Sequence, residues 1–468
     1  MNAYELGFGR TEQEIEVDDL SVSGTLPEWL TGTLIRNGPG TFQVGDQRYR
    51  HWFDGHAMLH KFSFQKGKVS YANKFLETKA HKAAMESGRI VYTEFATDPC
   101  WSLFGKARAI FSPQITDDAK VNVAKIEDKY FALAETPIQV HFDLETLKTV
   151  GVFNFEDRLP GQMTTVHPHF DFDNRIVYNN VVRYNAISRY NIYQLTGGKV
   201  TRVASIPVSK PAYLHSFGMS QNYIFLTEFP LFVNPISLLL WLKPYIENFK
   251  WNPGKGTRIW VVNRFTGEVV GKYQSDPFFA FHHVNAFETK DEVIFDIVAY
   301  EDSSILKAYY LDRLRDEHLE LPFGKLRRYH LPLKGKRATY EVISDVCMEL
   351  PVFDYRNYVL NSDYRYVYAV GINPMQRQGF YNQIVKVDIE TRQDISWFEK
   401  DCFPGEPVFV NRPDREGEDD GVLLSVVLDA NKGKSFLIVL NAHDLSEIAR
   451  ADIPHAVLFG YHGAYFPG

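Results

Sequence analysis

Three stretches decide the fold: FDLETLKTVGVF (Phe142–Phe153), YQLTGGKVTRVA (Tyr193–Ala204) and VNRFTGEVVGKY (Val262–Tyr273). Each is a short alternating run, a polar turn and a second short run, the pattern of a β-hairpin. Working outward, the same pattern occurs in FSFQKGKVSYA from Phe62, VDIETRQDISWF from Val387 and LNAHDLSEIARA from Leu440. A looser copy, YLDRLRDEHLEL, starts at Tyr310 and completes a set of seven. Apolar, β-branched runs such as KYFALAE, YIFLTEF, EVIFDIVAY, RYVYAVGI and VLLSVVL sit among the hairpins. Two short runs and a hairpin make about four strands per unit, and repeated units of that kind mark a β-propeller. A multi-sheet β protein without closed symmetry would give a similar pattern. Long helical periodicity is nearly absent, and no linker divides the chain, so residues 1–468 read as a single all-β domain.

Composition narrows the function. Aromatic residues make up 15% of the chain, with 35 Phe and 26 Tyr, which suits β-structure, an apolar ligand cavity, or both. The net charge of −7 and the lack of any Lys/Arg run speak against nucleic-acid binding. Cys100, Cys347 and Cys402 are odd in number and far apart, which argues against a disulfide framework or a Cys-based zinc site. A reducing, cytoplasmic setting is expected. The polar, acidic start MNAYELGFGRTEQEIEV has no signal-peptide character. No apolar run reaches the roughly 18 residues of a membrane span.

Most of the 15 histidines read as surface or satisfied core residues. A few stand out. His167 lies in TTVHPHF, His215 in PAYLHSFGMS, His282 and His283 in FFAFHHVNAF, and His462 in FGYHGAYFPG. Each is set among aromatic residues beside an expected strand, where a polar ring needs a partner. A shared metal would satisfy several at once, and inner strands of different propeller blades converge on one axis. Neutral imidazole suits Fe, Zn and Cu. Three glutamates also sit in apolar runs: Glu135 in FALAETP, Glu349 in CMELPVF and Glu406 in FPGEPVFV. Each reads either as a strand-end residue facing water or as the carboxylate that takes the second N–H of a metal-bound His.

These fragments, with GTLIRNGPGTF (Gly32–Phe42), HWFDGHAMLHKF (His51–Phe62) and the terminal YHG (Tyr461–Gly463), resemble the carotenoid cleavage oxygenase family over nearly the whole chain. The family includes β-carotene oxygenases, apocarotenoid oxygenases, stilbene-cleaving dioxygenases and the retinoid isomerase of the eye. The resemblance implies a seven-bladed β-propeller with a loop and short-helix cap over the iron site. It implies one Fe(2+) per chain held by His167, His215, His282 and His462, with His282 rather than His283 chosen by its spacing to Asn285. It further implies Glu135 behind His215, Glu349 behind His282 and Glu406 behind His462, with no such Glu for His167. Val121, in DDAKVNV, stands where family members carry Thr or Val and is expected to crowd one coordination position.

The implied reaction is cleavage of one C=C bond of a carotenoid or apocarotenoid with O2 as co-substrate, giving two carbonyl products. The segment TDPCWSLFGKARAIF (Thr97–Phe111) resembles the animal branch and suggests central 15,15′ cleavage yielding retinal. Rival readings are a retinoid isomerohydrolase with the same iron site, a stilbene-cleaving dioxygenase and a non-enzymatic carotenoid-binding propeller. Ala134 stands where the stilbene-cleaving branch has a Lys, which weighs against a phenolic stilbene. Peripheral membrane contact is expected through a tunnel-mouth patch made of Trp101, Leu103, Phe104, Phe229, Leu238, Leu239, Leu240 and Trp241. Its second half lies in FPLFVNPISLLLWLKPYIENFKW (Phe229–Trp251), which reads as interfacial. An apolar polyene is the expected partner.

Overall fold

Antiparallel pairing of neighbouring strands builds seven sheets of four to six strands, which form a seven-bladed β-propeller. The computed structural model describes residues 4–98, 116–239, 243–316, 318–361 and 363–468. Central strands such as Glu292–Ala299 and Gly421–Asp429 are buried along almost their whole length, because neighbouring blades cover both faces. Outer strands such as Lys68–Phe75 alternate between buried and open positions, as expected where one face meets water.

Six of the seven expected hairpins form at the residues that announced them. The copy from Tyr310 does not. Leu311–Leu314 is a short helix that buries Leu311 and Leu314 on one side, a spacing of three rather than two. The outer hairpin of that blade is instead Lys325–Pro332 with Thr339–Ser344. Its first strand opens on Lys and Arg, whose charges hid the alternation. Two of them are paired, Arg327 with Glu301 and Arg328 with Asp296.

The ring closes through the two ends of the chain. The last strand, Gly463–Pro467, pairs with Gly32–Thr41 as the innermost strand of the first blade. Val22–Gly24 completes the last blade on its outer edge. The first and last signature motifs therefore touch. Asn37 N donates to His462 O at 2.9 Å, and Tyr461 N donates to Asn37 O at 3.1 Å. Gly38 and Gly460 permit this approach, since a Cβ on Gly38 would stand 2.4 Å from the Gly460 Cα.

Loops and short helices cap one end of the propeller axis. They include Pro235–Leu239, Ile246–Asn248, Ser304–Ala308 and Leu311–Leu314. Phe229, expected in the apolar surface patch, is 2% exposed and packs on Phe278 and Phe279. It directly follows the buried strand Tyr223–Glu228 and packs in the aromatic core, so it belongs to that core. Trp101, Leu103, Phe104, Leu240 and Trp241 lie outside the described residues, as does the side chain of Leu239. No described helix is long and apolar enough to cross a membrane.

Phe229→Ala is expected to lower the unfolding free energy by about 3–5 kcal/mol, as for other buried aromatics cut to Ala. Urea unfolding followed by tryptophan fluorescence measures this, and a loss under 1 kcal/mol (about a third of that range or less) would return Phe229 to the surface.

Candidate metal centre

The four expected histidines arrive from four blades. His215, His282 and His462 each stand just before an innermost strand, at Gly218–Met219, His283–Glu288 and Gly463–Pro467. His167 stands in the break between Met163–Thr164 and His169–Asp171, which share one inner edge. One ring nitrogen from each of the four lies within 4.8 Å of all the others. His167 Nε2 is 3.4 Å from His215 Nε2, and His282 Nε2 is 3.3 Å from His462 Nε2.

The outer nitrogens of three rings are taken. His215 Nδ1 donates to Glu135 Oε1 at 2.7 Å, His282 Nδ1 to Glu349 Oε1 at 2.5 Å, and His462 Nδ1 to Glu406 Oε1 at 2.7 Å. This is the pairing that the family resemblance implied. Among the described residues His167 has no such carboxylate. With Nδ1–H committed outward, these three rings turn their Nε2 atoms toward one point. Burial, reinforced by the other three rings, pushes the His167 ring well below the usual imidazole value. Burial likewise takes His282 down to about 4. Protons are therefore poor fillers of this gap, and a cation fits the donor set.

The carboxylates are themselves held by groups that sequence reading did not single out. Tyr213 Oη donates to Glu135 Oε1 at 2.5 Å. Tyr300 Oη donates to Glu349 Oε2, and Leu350 N to Glu349 Oε1 at 3.0 Å. Arg36 Nη1 donates to Glu406 Oε2 at 2.5 Å, joined by Gly463 N at 2.9 Å. Burial alone would raise the Glu349 and Glu406 carboxyls. His282 in the first case, and His462 with Arg36 in the second, outweigh it and keep both below the ordinary value. Arg36 also sets the charge balance. It neutralises one of three carboxylates, and the two charges left match a divalent cation among neutral imidazoles. Arg36 is the one charge inside GTLIRNGPGTF, but only the structure shows that it is buried, at 5% exposed, and what it faces.

His283 is occupied elsewhere. Its Nδ1 lies 2.8 Å from Ser216 Oγ and its Nε2 2.9 Å from Thr227 Oγ1. His169 meets Phe217 O and Tyr355 Oη, and His51 meets Leu306 O. These three are satisfied core histidines.

A cavity under the cap reaches the histidine cluster. His215, His282, His462, Glu135, Glu349 and Val121 line its inner end. The Val121 carbonyl accepts from His462 N at 3.2 Å, so this valine abuts the cluster. Phe53, Phe95, Phe281, Tyr309 and Tyr461 form much of the apolar wall, and Ala134 also lines it. Leu238, Asn248 and the exposed Lys243 line it toward the surface.

A family model described as retinal pigment epithelial membrane protein matches residues 8–467. The chain belongs to that family, the carotenoid cleavage oxygenases. Among its relatives, mouse β,β-carotene 15,15′-dioxygenase is 32% identical over 99% of this chain and 92% of its own length. The mitochondrial carotenoid-cleaving dioxygenase of Mustela putorius furo is 32% identical over 97% and 94%. A cobalt-substituted Synechocystis apocarotenoid oxygenase superposes with a TM-score of 0.88 at 26% identity, covering 100% of this chain and 98% of that one. In this carotenoid oxygenase the polar cluster is closed in by an apolar vestibule.

Two substitutions test the centre. His282→Ala is expected to abolish stoichiometric metal, measured by elemental analysis of protein purified with ample iron, whereas His283→Ala keeps it. Metal loss in His283→Ala alone would reverse that assignment. Glu349→Gln should weaken metal affinity by about 10- to 100-fold, the usual effect of altering a carboxylate behind a ligating His. Competition with a chelator measures it.

Proposed function

We propose that the chain is a non-haem Fe(II) dioxygenase that cleaves a C=C bond of a carotenoid or apocarotenoid with O2 to give two carbonyl products. The observation that carries this is the meeting of four bare imidazole nitrogens, backed by three carboxylates, at the end of an apolar cavity. The named activities of the mouse and Mustela relatives point the same way.

His167, His215, His282 and His462 would hold one Fe(II), whose chemistry when bound is oxidative scission of an electron-rich alkene. The chain's own residues do the rest. Glu135, Glu349 and Glu406 fix the ring orientations and raise the basicity of three ligands. Phe53, Phe281, Tyr309 and Tyr461 present flat apolar faces that suit a rigid polyene and keep water out. Holding one double bond beside the cluster replaces a chance encounter with a fixed orientation. Val121, which lines the cavity and whose carbonyl accepts from His462 N, would crowd one side of the cluster and leave the other to the small co-substrate.

Entry from a lipid surface suits such a substrate. Leu238 lines the outer cavity, and Ile236 on the same short helix is 62% exposed. Both lie on the cap, so peripheral membrane contact at this edge would deliver a polyene directly to the cavity.

The test is turnover by the iron-loaded protein under ¹⁸O-labelled dioxygen. Two carbonyl products from one polyene, each carrying label from the gas, are expected. Turnover of a retinyl ester without polyene scission would overturn the reading in favour of an isomerohydrolase. Tight polyene binding with no product and no metal would instead favour a carrier.

A further inference from the structure

One part of the cavity wall is out of keeping with the rest. Thr93, Glu94, Thr116, Asp118 and Lys120 line it together. The Lys120 and Glu94 side chains are only 4% and 3% exposed. Lys120 Nζ donates to Glu94 Oε2 at 2.6 Å, and Thr116 Oγ1 donates to Glu94 Oε1 at 2.9 Å. Asp118 is committed to His56 Nδ1 at 2.6 Å and to Ala57 N at 2.8 Å. Asp54 completes the cluster, held by Thr97 Oγ1 at 2.6 Å and by the backbone of Ala96 and His51.

The metal centre uses none of these groups, and an all-hydrocarbon ligand would gain nothing from them. Two hydrogen-bonding functions remain open. The ammonium carries three N–H donors, of which Glu94 takes one. Thr93 Oγ1 is buried with no hydrogen-bond partner among the described residues. Lys120 and Thr93 both line a cavity made to receive a ligand, where an unmatched polar group weighs against stability unless the ligand satisfies it.

We infer that Lys120 and Thr93 form a binding site for an uncharged oxygen of the substrate, so that this enzyme selects a polyene ending in an aldehyde, ketone or hydroxyl over a hydrocarbon carotene. The inference rests on the polyene-cleaving reading and narrows its substrate. Charge sets the class of oxygen. Lys120 is already paired with Glu94, and Asp118, whose burial is outweighed by Lys120 and His56 so that its carboxyl stays below the ordinary value, adds negative potential, so a carboxylate ligand is repelled while a neutral dipole is accepted. Burial works against the Lys120 charge, but Glu94 and Asp118 outweigh it and keep the ammonium protonated. Lys120 therefore donates a hydrogen bond to a carbonyl and does not attack it. Position sets the direction of entry. Lys120 directly precedes Val121, which abuts His462, whereas exposed Lys243 marks the outer cavity. The oxygenated end goes in first.

The test compares a β-apocarotenal with β-carotene on the iron-loaded protein. The wild type is expected to favour the aldehyde in kcat/KM, and Thr93→Val to shrink that preference. The charge-neutral pair Lys120→Met with Glu94→Gln should shrink it by about tenfold or more, mainly through KM, the scale of one hydrogen bond to a charged donor. The two variants guard against a misfolded single Lys120 substitution, which would strand the Glu94 charge. A second readout needs no turnover: under anaerobic conditions the visible maximum of the bound aldehyde shifts to the red in the wild type and returns in the paired variant. An aldehyde-to-hydrocarbon ratio unmoved by both variants, with no red shift on binding, overturns the inference. If no polyene is cleaved at all, the dioxygenase reading falls, while the anaerobic spectrum still decides this one.

Discussion

Four imidazole nitrogens aimed at one another form an arrangement that the rest of the molecule has to sustain. Nε2 lone pairs 3.3 and 3.4 Å apart, with burial opposing protonation of the His167 and His282 rings, repel unless a cation lies between them. The rings cannot turn away, because three of them are tied from behind by Glu135, Glu349 and Glu406. Those carboxylates are in turn tied by Tyr213, Tyr300 and Arg36. Each layer thus satisfies buried polar groups of the layer inside it. Arg36 leaves the site short by the charge of one divalent ion.

The propeller is what makes such a centre affordable in chain length. Every blade begins at the axis, so a residue just before an innermost strand reaches the centre whatever its place in the sequence. His462 has a second task, because the strand that follows it closes the ring against Gly32–Thr41. Arg36 lies on that partner strand and binds both Glu406 and the Tyr461 carbonyl. Ring closure and the charge balance of the centre are therefore one set of contacts, which is why the first and last signature motifs act together.

The cap adds what the blades lack, a wall chosen for the ligand. Its aromatic rings give breadth without polar demand. Against them stands the cluster of Glu94, Lys120, Asp118 and His56, nearly fully buried. Removing such charges from water is unfavourable, and mutual pairing only partly offsets it. The place of Glu94, Asp118 and Lys120 in the cavity wall, with His56 behind Asp118, ties that penalty to recognition of a polar feature on an otherwise greasy molecule.

Much of this was legible along the chain. Alternation and polar turns located six hairpins, because period two survives wherever one face of a strand meets water. It failed at Tyr310, where Leu311 and Leu314 follow a helical spacing, and at Lys325–Pro332, where paired Arg residues mask the period. Phe229 looked like surface beside the run at Leu238, and only packing on Phe278 and Phe279 places it inside. The ligand histidines and their glutamates were recognisable by local context and by family resemblance. Tyr213, Tyr300 and Arg36 were not, since a hydroxyl or guanidinium acquires its role from what folding sets opposite it. By itself the sequence determined the kind of strand, the blade repeat and the chemical type of the donors, all properties of neighbours along the chain. The ligand set and the choice of His282 over His283 were implied by the resemblance, but only the tertiary structure decided how close the rings come, what holds the glutamates and which charges share the cavity, because those depend on distances across blades that no local period encodes.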